Sequence, residues 1–107
     1  MTGAGAMRTR LILEQAVDMA DGAGGSLQVW QAIAELWAEV IPLSGGERYA
    51  FDQTDALMSF RVRTRFRRDV RPEMRLRWDD RLLDIQAAFD PDGRRQKLEC
   101  LCQERLH

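Results

Sequence analysis

The chain has 107 residues, 45% of them hydrophobic and 31% charged, and a formal net charge of −1. That length and balance describe one folded domain and exclude a disordered chain, and global charge gives no pull toward nucleic acid or membrane. No run reaches the ~18 apolar residues of a membrane-spanning helix, and Met1-Thr2-Gly3-Ala4-Gly5-Ala6 lacks the basic segment and apolar core of a secretory signal.

Residues 1–7 read as a flexible N-terminal tail and 8–107 as a single domain. A first strand is expected over 8–17, where Leu11, Leu13 and Val17 share one parity and Ile12 and Ala16 the other. Asp21-Gly22-Ala23-Gly24-Gly25-Ser26 follows as a flexible loop tip, with Gly22, Gly24 and Gly25 able to take the positive φ angles of a turn. Residues 27–41 support two readings. Their Ala, Leu, Glu and Gln content favours a helix, with Leu27, Trp30, Ala34, Trp37 and Ile41 as its stripe. As a strand they place Trp30, Ala32, Ala34, Leu36, Ala38 and Val40 on one face and Val29, Ile33, Trp37 and Ile41 on the other. Local propensity alone predicts the helix. Pro42 ends the segment, and Ser44 with Glu47 makes a capping box. A short helix is expected near residues 45–57, with Ala50, Phe51, Thr54 and Leu57 as its apolar side.

The alternation is clearest beyond that helix. Met58, Phe60, Val62, Thr64 and Phe66 alternate with Ser59, Arg61, Arg63, Arg65 and Arg67, which predicts a half-buried strand with a row of guanidinium groups outside. After a turn over Asp69-Val70-Arg71-Pro72, Met74, Leu76 and Trp78 alternate with Arg75 and Arg77. Asp79-Asp80 is a two-residue hairpin, and Leu83, Ile85, Ala87 and Phe89 line the next strand. Asp90-Pro91-Asp92-Gly93 suits a type I turn, and Leu98, Cys100 and Cys102 face inward on a last strand. The second half thus reads as a meander of four short strands, enough with the first strand to close a small barrel or sandwich. Neighbouring strands in that meander would set both arginine rows on one sheet face.

Catalytic chemistry has little to work with. The single histidine, His107, is the last residue, so neither a histidine triad nor a metal site is expected. Cys100 and Cys102, two apart on a strand, suit a buried core better than a mutual disulfide. No Gly-Lys-Ser/Thr follows the glycines, and the acidic pairs sit in turns. No catalytic residue and no cofactor are predicted, and the chain is not expected to be an enzyme. The single lysine, Lys97, among many arginines fits either codon usage or a need for forked contacts. The arginine rows suit a solvated face balanced by Asp and Glu, an acidic neighbour, or a nucleic-acid backbone. A small single-stranded nucleic-acid-binding barrel is therefore the alternative function, although Phe60, Phe66 and Trp78 point inward by parity and offer no stacking platform.

One resemblance spans about residues 8–105. It is carried by Leu36-Trp37-Ala38-Glu39-Val40 followed by Pro42-Leu43-Ser44-Gly45-Gly46-Glu47, the arginine-rich strand from Phe60, and Pro72 with Met74-Arg75. Asp90-Pro91-Asp92-Gly93-Arg94-Arg95 and Leu98-Glu99-Cys100-Leu101-Cys102-Gln103-Glu104 complete it. The sequence resembles the head–tail adaptor (head closure, or stopper) family of long-tailed bacteriophages, also encoded by phage-like gene transfer agents. The resemblance implies a mainly β fold, a small antiparallel β-barrel of about six strands with the one short helix inserted, and makes 27–41 a strand against its local propensity. It implies a homo-oligomeric ring in the virion that closes the DNA-filled head, retains the DNA and docks the tail. A portal protein or portal-side adaptor would lie above the ring, a tail terminator or tail tube protein below, and double-stranded DNA in the channel without sequence specificity. No membrane is involved. Under that reading Trp37, Glu47, Arg48, Phe51, Arg61, Arg63, Arg65, Arg75 and Arg77 are candidate ring-interface positions, and Gly22, Gly24 and Gly25 a candidate flexible loop.

Overall fold

The computed structural model describes residues 8–43 and 58–105. The expected helix near 45–57 and the tail 1–7 lie outside the described residues, as do Glu47, Arg48 and Phe51. Six strands form: β1 (Thr9–Ala20), β2 (Ser26–Pro42), β3 (Ser59–Arg65), β4 (Arg75–Trp78), β5 (Arg81–Phe89) and β6 (Lys97–Glu104). Each pairs antiparallel with two neighbours, and the sheet closes on itself as a barrel in the order β1-β2-β3-β6-β5-β4.

Residues 27–41 are strand, so the helix that local propensity predicts does not form. The reason is tertiary: β2 hydrogen-bonds to β1 from Ser26 to Ala38 and to β3 from Ala38 to Pro42, and this pairing outweighs a preference worth tenths of a kcal/mol per residue. The four-strand meander is corrected as well. β4, β5 and β6 do run in sequence, but β3 pairs with β2 and β6, while the far edge of β4 is taken by β1. The Asp79-Asp80 hairpin forms as expected, with Trp78 opposite Arg81 and Asp79 at φ 58°.

Leu11, Leu13, Leu36, Ala38, Val62, Leu76, Leu83, Leu98, Cys100 and Cys102 fill the interior, each at most 5% exposed. Phe60 meets Trp78 edge-to-face at 5.8 Å between ring centroids. Two bulges reset the alternation. Ile33 is the extra residue of β2 opposite the Leu13/Glu14 step, so Val29 falls on the same side as Leu13, while Trp30 faces outward beside Ala16. Gln86 is the extra residue of β5, so the alternation of Leu83, Ile85, Ala87 and Phe89 does not hold to its end: Ala88 packs against the core and Phe89 is exposed. Met58, predicted inside, lies before β3 and is exposed.

Strand direction fixes the two ends of the closed sheet. The β1–β2, β3–β4 and β5–β6 connections leave one end. At the other lie the Asp79-Asp80 hairpin and the junction where the Leu43 amide donates to the Ser59 carbonyl at 3.0 Å. β1 and β2 outrun their other partners at the first end, since β4 covers only Ile12–Glu14 of β1 and β3 only Ala38–Pro42 of β2. Residues 15–31 therefore continue as a two-stranded ribbon beyond the barrel, which gives the molecule a 52 Å long axis against 33 and 25 Å across.

Candidate docking surfaces

The arginine rows do not share a face. Arg61, Arg63 and Arg65 lie on β3 and Arg75 and Arg77 on β4, three strands apart in a ring of six, on opposite sides of the closed sheet. Most of these cations already have carboxylates. Arg63 stands opposite Glu39 on one side and Glu99 on the other, with nitrogen–oxygen distances of 3.9 and 3.4 Å. Arg61 Nε lies 2.8 Å from Glu99 Oε2, yet too far off axis for a hydrogen bond. Across the ring, Glu14 takes Arg75 Nε at 2.7 Å and Arg77 Nε at 3.2 Å, and the Arg75 guanidinium stacks 4.1 Å over the Trp30 ring. Alternating Arg and Glu across neighbouring strands supply the cross-strand charge pairs that stabilise a sheet. Arg65 is the exception: it stands opposite Lys97, and no carboxylate of a described residue lies within ion-pair distance of it. The continuous basic face that motivated a single-stranded nucleic-acid reading is therefore absent.

Sequence reasoning missed Glu14 and Glu104. Glu14 follows the apolar run in the middle of β1 and Glu104 ends β6; they are 5% and 7% exposed, and each is matched to arginine on a neighbouring strand. Arg81 holds Glu104 with two hydrogen bonds of 2.8 and 2.9 Å and stacks over Trp78 at 4.3 Å. Its guanidinium keeps the Glu104 carboxyl below the ordinary carboxylate range. The available signal was a lone acid in an apolar run, as in Leu11-Ile12-Leu13-Glu14.

The ribbon tip is ordered by Asp21, whose Oδ1 accepts the Ala23 and Gly25 amides at 2.8 and 3.0 Å. Those two amides hold its pKa low, and Gly22 and Gly24 take φ of 82° and 88°. The ribbon pairs Val17 with Val29 and Met19 with Leu27 on one face, leaving Met19 and Leu27 more than half exposed. Trp37, the candidate interface residue on β2, is 53% exposed. It borders a groove of about 550 Å³ that opens where β3 diverges from β2, together with Glu35, Leu36, Thr64, Arg65, Phe66 and Arg67. Thr64 Oγ1 donates to the Trp37 carbonyl at 2.9 Å, which fixes the groove floor. Cys100 and Cys102 are free and buried, and burial pushes the Cys100 thiol up to about 12 and raises Cys102 as well. Among the described residues no cluster of His, Cys, Asp and Glu could hold a metal ion.

The candidate docking surfaces are therefore an exposed apolar ribbon and a groove at an open strand edge, joined by the barrel. Residues 3–105 match the family model described as phage head completion protein. Among solved structures the chain is similar to one from the virion of a native gene transfer agent particle, with 38% identity, 92% of this chain and 94% of that chain covered, and a TM-score of 0.71. It is also similar to a protein of Shigella flexneri 2a solved in solution, with 26% identity, 96% of each chain covered and a TM-score of 0.72. A search of curated proteins found no match. The family match runs through every strand of the barrel, and the chain belongs to the phage head completion protein family, a family of structural phage head proteins and not of enzymes.

Proposed function

We propose that identical copies of this chain close into a ring at the head–tail connector of a phage-type particle. The ring completes the DNA-filled head, helps retain the packaged DNA and presents the surface on which the tail docks. A portal or portal-side adaptor protein meets one end of the subunit, and a tail terminator or tail tube protein the other. Identical subunits assemble so through heterologous contacts, one patch meeting a different patch on the next copy until the rotation closes. Double-stranded DNA in the lumen needs no base reading, because its backbone charge alone is felt.

The observation that carries this reading is the nearly full-length likeness, at 38% identity, to a chain of a gene transfer agent virion. Trp37 and Arg65 stand as interface positions because one is an exposed aromatic and the other lacks a carboxylate among the described residues. Glu47, Arg48 and Phe51 stay in the interface set on the sequence alone. Arg61, Arg63, Arg75 and Arg77 enter it through the outer edges of their ion pairs. Particles made without the chain test the proposal. They are expected to package DNA, then lose it and accumulate as empty heads beside free tails, with restoration when the chain is supplied. Heads that keep their DNA and carry tails without it would overturn the reading.

A further inference from the structure

We propose that the β1–β2 ribbon is the arm by which each copy grips the next, laying its apolar face into the groove beside Trp37 and Phe66 of the neighbouring copy. The inference deepens the ring proposal and rests on it.

Three observations carry it. First, the ribbon is supported on one face only, where Arg75 stacks on Trp30, and its other face is uncovered. A two-stranded ribbon is marginal in water without something to pack against, yet this one exposes Met19 at 54%, Leu27 at 57% and Val29 at 39% on one side. Second, ribbon and groove are complementary in charge. The ionisable side chains of residues 15–31 are both acidic: Asp21 at the tip, which leads into the groove, and Asp18 on the face away from Met19 and Leu27, which adds to the field without touching it. The groove carries Arg65, backed by Lys97 across the strand pair. Its other charged groups are already engaged, Glu35 with Arg10 and Arg67 with Asp69. Third, the groove lies along an open backbone edge. Among the described residues no strand pairs with β2 between Ser26 and Trp37 on the side away from β1. Such an edge is a template for an incoming strand, and this one carries neither the lysine nor the proline that blunts edges.

The geometry makes the contact intermolecular. Leu27 and Trp37 stand ten positions apart on one extended strand, roughly 30 Å at the rise of a β-strand. A ribbon cannot fold onto a groove at the base of its own strand, but it can reach the groove of the next copy. Knob and hole at different places on one subunit generate a head-to-tail series, which is what ring closure requires.

The test is a Leu27→Cys, Trp37→Cys double variant, supplied to particles that lack the native chain and treated with a short bismaleimide. The expected product is a ladder of oligomers, because the two thiols are too far apart to link within one chain, and it is absent from either single variant, which carries only one of them. A monomer band from chain recovered in tailed particles overturns the arm. So does a concentration-independent intrachain product from the isolated protein. Failure of the ring proposal looks different, because the native chain itself is then missing from the head–tail junction. Leu27→Asp supplies a second readout. It should leave the circular dichroism of the isolated chain unchanged and lower its incorporation into particles about tenfold or more, the cost of setting a carboxylate against an apolar partner. Full incorporation of Leu27→Asp also overturns the arm.

Discussion

Glu14→Ala should cost this protein more than any surface ion pair, and the reason lies at the foot of the ribbon. Glu14 sits where β1 leaves the cover of β4, next to the bulge in β2. Its side chain is 7% exposed and serves two cations, Arg75 at 18% exposure and Arg77 at 46%. Removing one partner of a buried pair costs ~3–5 kcal/mol, because the remaining charge stays buried and unmatched. Here the cost belongs near 3 kcal/mol, since Arg77 can rehydrate and Arg75 keeps its place over Trp30. Against a urea dependence of ~1.5 kcal/mol per molar, the unfolding midpoint should fall by about 2 M. Arg10→Ala is the internal control. It breaks the Arg10–Glu35 pair, whose side chains are 59% and 47% exposed, and should cost under ~1 kcal/mol. The assay is equilibrium urea unfolding of both variants, followed by fluorescence. Equal midpoints for Glu14→Ala and Arg10→Ala would show that burial does not set the value of these pairs, and the reasoning would fail.

Three further outcomes are expected. Cys100 and Cys102 should resist a maleimide at mildly alkaline pH in the folded protein and react in urea, since both thiols are buried and their pKa values raised; rapid native labelling would contradict their placement. Glu104 has a folded pKa below its ordinary 4.5, so its contribution is complete above that pH and is lost as the pH falls through the folded value. Glu104→Gln should therefore flatten the loss of stability between neutral pH and about pH 3, measured by urea midpoints, and an unchanged slope would count against the Arg81–Glu104 pair. Gly24→Ala forces a β-carbon into φ +88° at a cost of ~1–2 kcal/mol. It should speed amide exchange in the ribbon and leave the barrel amides alone, whereas uniform acceleration would mean that ribbon and barrel open as one.

The sequence was most legible where a strand alternates without interruption. Phe60, Val62 and Thr64 in β3 and Leu98, Cys100 and Cys102 in β6 all face inward as their parity predicts. Parity failed at Ile33 and Gln86, because one extra residue in a strand swaps the faces of everything beyond it and nothing in the local sequence marks the insertion. Pairing order was not legible either. β6 inserts between β3 and β5, a long-range choice made by closing the sheet, and it separates arginine rows that a simple meander would have joined. The β2 strand became readable only through family resemblance, since its own residues favour a helix and only pairing with β1 and β3 reverses that. The ribbon's apolar face was hidden for a related reason. The strand expected over 8–17 stops short of Met19, and Leu27 belongs to the helical stripe, so their pairing across the ribbon shows only once β1 and β2 are set in register.

Cryo-electron microscopy of intact particles, with the chain carrying a small visible tag, tests the central claim most directly. The account predicts one closed layer of tagged copies between the head vertex and the tail, with DNA held behind it. Tag density on the capsid shell or within the tail tube, and none at the junction, would contradict it.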